Sequence, residues 1–302
     1  MRTPSRNVAA SVHARLLNEA RSSGRPFNEL LQYYAIERFL YRLSVSKHAE
    51  RFILKGALML RARGAAPERP TRDIDLLGSG DNSPSSLEAV VRDCLDVGVV
   101  DDGIGFDADS LTSEQIADEA AYQGVRLTMS GSLGTARLSI LIDVGFGDAI
   151  VPGPIWIDYP EMLDYGKPRL KSYTLESAVA EKFEAMVALD IVNSRMKDFY
   201  DIWFMATTQS FKGDSLSQAV RETFQRRQTD IPVERPTALT TEFTADDLKL
   251  RQWSAFLRKS LLSDAPSLRQ VSELIADFLM PPCHALNEGT TFNHVWTKDR
   301  WA

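Results

Sequence analysis

Asp73-Ile74-Asp75-Leu76-Leu77, closed by Gly78-Ser79-Gly80, is the stretch on which the reading of this chain turns. Residues two apart in a strand point to one face, so the pattern predicts a short strand that sets the Asp73 and Asp75 carboxylates side by side and turns Ile74 into a core. Like charges so close repel one another. A divalent cation relieves that repulsion, and Mg²⁺ takes hard oxygen ligands from one or two carboxylates together with substrate phosphates. Asp-x-Asp alone is common in acidic proteins and also marks metal-dependent glycosyltransferases, so its weight depends on the rest of the chain.

Two alternating runs follow, Gly124 to Ser130 (GVRLTMS) and Ala136 to Val144 (ARLSILIDV), separated by Ser130-Gly131-Ser132-Leu133-Gly134, which predicts a hairpin. Asp143 lies at the end of the second run, before Gly145-Phe146-Gly147, a charged group at the rim of a strand that otherwise reads as core. There it would complete a three-carboxylate site for two metals, one activating an attacking hydroxyl and one steadying a leaving pyrophosphate. For each aspartate alone a bland role serves as well: Asp143 capping a turn, Asp73 pairing with Arg72. The three together favour the site.

Asn28 to Leu43 has helical spacing, and from Phe52 to Arg63 an apolar FIL, Lys55-Gly56-Ala57 and LMLRAR suggest a turn and a second helix. A glycine where the chain turns into a helix lets backbone N–H groups approach a phosphate. Ser85 to Val97 reads as a helix, and after Pro168 long helical patterns take over at Thr174 to Leu189, Asn193 to Thr207, Ala245 to Leu262 and Pro266 to Leu279, with a loop bracketed by Pro232 and Pro236. The expectation is an α+β chain: residues 1–165 as N-terminal helices plus a small mixed sheet, residues 166–302 as a helical domain.

The 302 residues, 44% hydrophobic and 25% charged, suit a globular protein. The net charge of −6 is unevenly spread: residues 1–72 carry 14 Lys/Arg against 5 Asp/Glu, residues 73–164 carry 3 against 18, and residues 165–302 carry 18 of each. A basic start suits phosphates and an acidic middle suits cations. No apolar run approaches the roughly 20 residues of a membrane helix, and the start lacks a signal-peptide core, so a cytoplasmic place and no membrane partner are expected. Cys94 and Cys283 form no CxxC pair, and His13, His48, His284 and His294 form no HxxxH or HExxH, which argues against disulfide frameworks and zinc hydrolases.

Phe52-Ile53-Leu54-Lys55-Gly56-Ala57, Arg69-x-Thr71-Arg72-Asp73-Ile74-Asp75-Leu76, Ile142-Asp143-Val144-Gly145-Phe146-Gly147-Asp148, Glu181-Lys182 and Arg195-x-Lys197-Asp198-Phe199-Tyr200-Asp201 together resemble the AbiEii/AbiGii-type nucleotidyltransferase toxins, including the mycobacterial MenT group, from about Tyr34 to Ala206. The resemblance implies a DNA-polymerase-β-like fold, Mg²⁺ with Mn²⁺ as an alternative, a nucleoside triphosphate, an RNA acceptor that in the MenT branch is the tRNA 3′ end, and a cognate antitoxin. It implies metal binding by Asp73, Asp75 and Asp143, a catalytic role for these with Lys182 and Asp198, and nucleotide binding by Lys55, Gly56, Ala57, Arg72, Lys182, Arg195 and Lys197. Ala57 departs from the family pattern, since many relatives carry Ser or Thr there. Phosphate gripping at that point would rest on backbone N–H groups and Lys55.

The residues themselves leave choices open. Lys182 among apolar neighbours either meets an anion or snorkels to solvent. Asp198 and Asp201 share a helix face, where Arg195 and Lys197 would make them a salt-bridge cluster as readily as a catalytic one; Asp201 falls on the structural side. Tyr33 to Arg42 interleaves aromatic and basic residues, which suits either nucleic-acid stacking, with Arg38 and Arg42 on an RNA surface, or a helix with one core face. Beside transfer to RNA stand transfer to a protein or small molecule, an inactive binding module of the same fold and, further off, a glycosyltransferase.

Overall fold

The computed structural model describes residues 7–64, 71–117, 123–262 and 264–302. In chain order the elements are α1 (Val8–Ser23), α2 (Phe27–Val45), β1 (Phe52–Leu54), α3 (Gly56–Ala62), β2 (Asp73–Gly78), α4 (Pro84–Leu95), β3 (Ile104–Ala117), β4 (Gln123–Leu133), β5 (Ala136–Phe146), β6 (Ile155–Asp158), β7 (Arg169–Ser172), α5 (Leu175–Leu189), α6 (Met196–Thr208), β8 (Ser210–Lys212), α7 (Gly213–Arg227), α8 (Thr241–Ala245), α9 (Asp247–Lys259), α10 (Leu268–Asn287) and β9 (Val295–Thr297).

Seven strands form one mixed sheet in the order β3-β4-β5-β2-β1-β7-β6. The β2/β5 and β1/β7 neighbours run parallel and the others antiparallel. The sheet therefore takes in residues beyond 165, with β7 pairing to both β1 and β6. One face is apolar. Ile74, Leu76, Leu127, Ile142 and Val144 alternate inward and pack with Phe39 and Leu43 of α2 and Leu87, Val90, Val91 and Cys94 of α4. The opposite face carries Asp73, Asp75 and Asp143.

The rest is helical. Thr174 caps α5, its hydroxyl accepting from the Ser177 N–H and donating to the Val151 carbonyl. Helices α5, α6, α7 and α10 pack through Phe183, Phe199, Phe224 and Phe278, all buried. The β8/β9 pair closes the end, and its buried Trp296 donates from Nε1 to the Ala206 carbonyl of α6 at 2.7 Å. Cys94 and Cys283 are both buried thiols.

Three local expectations are corrected. Phe52-Ile53-Leu54 is a strand, because it is slotted between β2 and β7, and the helix begins only at Gly56. The hairpin strands run longer, Leu133 pairing with Ala136, so the turn is Gly134-Thr135 and not the preceding Ser-Gly run. Tyr33, Tyr34, Arg38 and Arg42 are buried, with Arg38 fully enclosed. Arg38 pairs with Glu37 and donates to the Tyr165 and Gly166 carbonyls, while Arg42 forks onto Asp102 at 2.6 and 3.2 Å. These arginines fasten α2 to its surroundings and offer no RNA surface.

Candidate active site

The parallel register of β2 and β5 sets Asp75 directly beside Asp143, and the antiparallel register of β5 and β4 sets Asp143 beside Arg126. Directly paired residues share a face, so Asp75, Asp143 and Arg126 form one row across three strands, and Asp73 stands two residues along on the same face. Asp73 and Asp75 leave their backbone groups to the ladder and their carboxylates to the site.

The row is a place of electrostatic stress. Burial pushes the Asp75 carboxyl up to about 6, against the pull of Lys197 and Lys55 and with the help of Asp143 and Asp73. Burial and then Asp143 raise Asp73 as well, opposed by Lys197, Arg126 and Arg72. Arg126 meets Asp143 as a fork, Nε to Oδ1 at 2.8 Å and the second nitrogen to Oδ2 at 2.9 Å. Among the described residues no group of three or more His, Cys, Asp or Glu is arranged to hold a metal ion. The three aspartates share a face, but Asp143 is turned to its arginine.

Gly56 closes one side. It has φ +67°, in the region that favours glycine, and a Cβ there would lie 2.0 Å from Asp75 Oδ2. The preceding Lys55 N–H donates to the Asp75 carbonyl at 2.9 Å, so the β1-to-α3 turn is hung on the strand that carries the acids. The Lys55 ammonium is held by Glu181 at 2.6 Å and Asp148 at 3.0 Å. Arg227 of α7 joins the same network, reaching Asp148 at 3.0 Å, Glu181 at 2.7 Å and Glu184 at 2.9 Å. Burial disfavours the ionised form of Asp148, but Lys55 and Arg227 outweigh it and bring the carboxyl down to about 2.

Lys182 of α5 stands between two α6 carboxylates, 2.7 Å from Asp198 and 2.9 Å from Asp201, both enclosed. Arg195 adds Nε to Asp198 at 2.6 Å. Burial works against the Asp198 anion, and Lys182, then Arg195 and Lys197, overcome it and hold the carboxyl far below its ordinary range. Buried charge of this kind is stable only when paired, so Lys182 meets protein anions here. Lys197 and Arg72 are exposed, and the charge of each lowers the Asp73 carboxyl.

Most of the chain matches a known family. The model of the family described as nucleotidyl transferase AbiEii toxin, type IV TA system, matches residues 38–277, more than three quarters of the chain. The chain belongs to the AbiEii family. It is thus a nucleotidyltransferase, and the match carries past α6 into α10. Among solved structures it is similar to a candidate nucleotidyltransferase from H. pylori, at 14% identity and TM-score 0.49, covering 87% of this chain and 97% of that one. It is also similar to JHP933 from Helicobacter pylori, at 14% identity and TM-score 0.46, covering 86% and 97%. No curated protein matches.

Of the residues that sequence singles out, Asp73, Asp75, Asp143, Gly56 and Lys55 gather on or beside the row, and Ala57 follows Gly56 on α3. Lys182, Arg195 and Asp198 form the α5/α6 cluster. Arg69 lies outside the described residues. Sequence reasoning missed Arg126, Arg227 and Tyr173, whose hydroxyl donates to Asp148 at 3.3 Å. A correct hairpin register would have found Arg126, since it places that residue opposite Asp143.

Proposed function

We propose that this AbiEii-family enzyme is a Mg²⁺-dependent cytoplasmic nucleotidyltransferase that moves a nucleoside monophosphate from a triphosphate to an RNA, with the tRNA 3′ end as acceptor, and that a cognate antitoxin restrains it. The observation that supports this reading is the Asp75–Asp143 register, with Asp73 on the same face. The donor set suits a hard cation: it consists of carboxylate oxygens, two of them on acids whose burial and mutual repulsion oppose ionisation. Asp73, Asp75 and Asp143 would hold Mg²⁺, or Mn²⁺ in its place. Such an ion, when bound, supplies Lewis-acid stabilisation of the phosphates and lowers the pKa of the attacking hydroxyl.

The chain's own groups do the placing. The Gly56 turn brings backbone close to Asp75, and Ala57 without a hydroxyl leaves phosphate contact to main-chain N–H groups. Lys197 and Arg72 line the same side with positive charge, which suits the triphosphate and the acceptor's backbone. The acceptor oxygen attacks the α-phosphorus, its proton passes to the acid row or to water, and the bond to pyrophosphate breaks. Lys182, Arg195 and Asp198 act from behind, fixing α6 so that Lys197 faces the acids.

Incubating the purified protein with total RNA and each of the four labelled triphosphates, with and without Mg²⁺, tests the reading. Label should enter RNA of tRNA size in the presence of Mg²⁺ and be lost in Asp73→Ala. Label on protein with none on RNA would move the acceptor to the protein class, and no label on anything would sink the proposal.

A further inference from the structure

Arg126 reaches from β4 to the Asp143 end of the acid row, and each oxygen of Asp143 accepts from its fork, at 2.8 and 2.9 Å. Its charge also acts on Asp73. The side chain keeps 35% of its exposure, so it has room to leave, while Asp143 keeps 20%. A guanidinium fork and a divalent ion both draw on the Asp143 carboxylate charge and its lone pairs, so at Asp143 each weakens the hold of the other. Released from Asp143, the same guanidinium remains on the site face, with a geometry that matches a phosphate as well as it matches a carboxylate.

We propose that Arg126 is a built-in counter-cation for the acid row, one that competes with metal for Asp143 and, once displaced, takes hold of the triphosphate. The inference rests on the metal-dependent reading above. Arg126 thus joins two events: Asp143 turning to a cation sets an anion-gripping group loose beside it. The same exchange opposes occupancy by a cation alone, because Arg126 regains Asp143 whenever no phosphate holds it.

The test is titration with Mn²⁺ alone, followed by the spin-resonance signal of unbound Mn²⁺, for wild type, Arg126→Met, Arg126→Lys and Asp75→Asn. A second titration uses a non-hydrolysable triphosphate analogue at saturating Mn²⁺. Arg126→Met should bind Mn²⁺ about fivefold more tightly and the analogue about tenfold more weakly, opposite signs that a purely structural ion pair does not produce. Arg126→Lys, which keeps charge without the fork, should shift both in the same directions by less, and it carries the test should the Met variant fail to fold. Mn²⁺ affinity unchanged or weakened in folded Arg126 variants overturns the proposal. Asp75→Asn separates the two readings: if it binds Mn²⁺ as wild type does, the metal site itself is misplaced, whereas its loss of binding with unaltered Arg126 variants condemns only the role of Arg126. Binding that appears in Arg126→Met but not in wild type supports the exchange, and binding in neither overturns both.

Discussion

Gly56 and Asp75 are in direct contact across the β1-to-α3 turn, so close that any side chain at 56 would strike the carboxylate at 2.0 Å. Gly56→Ala is expected to combine that clash with the strain of φ +67° and to destabilise the protein by about 1–3 kcal/mol while abolishing transfer. Ala57→Ser, one residue on, should leave stability within about 0.5 kcal/mol and lower the KM for the triphosphate, because it adds a hydroxyl donor beside the main-chain N–H groups of the turn. Thermal melts and steady-state kinetics on the two variants check the contrast.

The acid row trades stability for chemistry. Asp75 has its carboxyl raised to about 6 from an ordinary value near 3.9. A raised carboxyl favours the neutral form in the folded protein, so the stability it contributes is full below about pH 4 and lost as pH rises through about 6. Asp75→Asn should therefore raise the melting temperature at pH 7.5 in EDTA, by the equivalent of about 1–2 kcal/mol, with the gain fading towards pH 4 while activity is absent throughout. A variant melting below wild type at pH 7.5 would contradict this.

Lys182 is expected to matter to the fold before it matters to substrate. Lys182→Met leaves Asp198 and Asp201 enclosed without that cation, and breaking a buried pair from one side costs about 3–5 kcal/mol. Guanidinium denaturation measures it. A Lys182→Met protein as stable as wild type, with only its triphosphate affinity weakened, would return Lys182 to direct nucleotide contact.

RNA binding should depend on exposed cations and not on those of α2. Lys197→Glu and Arg72→Glu are expected to weaken tRNA binding, each lowering the salt slope by about one unit per lost phosphate contact, without moving the melting temperature. Arg42→Glu should instead unfold the protein, since it sets two carboxylates against each other at Asp102. Filter binding between about 50 and 200 mM salt, alongside melts, distinguishes the two groups.

What sequence disclosed follows from how local the signal is. Asp73-Ile74-Asp75 declares its strand and its face by alternation alone, and Thr174 with Ser177 declares the start of α5. The edge strand β3 stays hidden because its alternation lapses after Asp109: from Ser110 to Gln115 every residue but Leu111 is polar and the adjacent Glu114 and Gln115 are both exposed, which suits a sheet edge and blurs a strand pattern. The helix α7 is masked by its polarity. Arg126 escaped through two residues of turn geometry: placing the turn before Gly134 slides the register and parts it from Asp143. The pairing of Lys182 with Asp198 and Asp201 is a matter of helix packing, which spacing within one helix does not reveal.

Parallel pairing of β2 with β5 also fixes when the protein becomes competent. No hairpin joins these strands, so Asp75 and Asp143 meet only after β3 and β4, which intervene in sequence, have been made, and α6 must follow before Lys197 arrives. A growing chain on the ribosome therefore holds no working centre until its second half emerges. An incomplete chain that stops short of β5 carries two of the three aspartates with nothing beside them to complete the row.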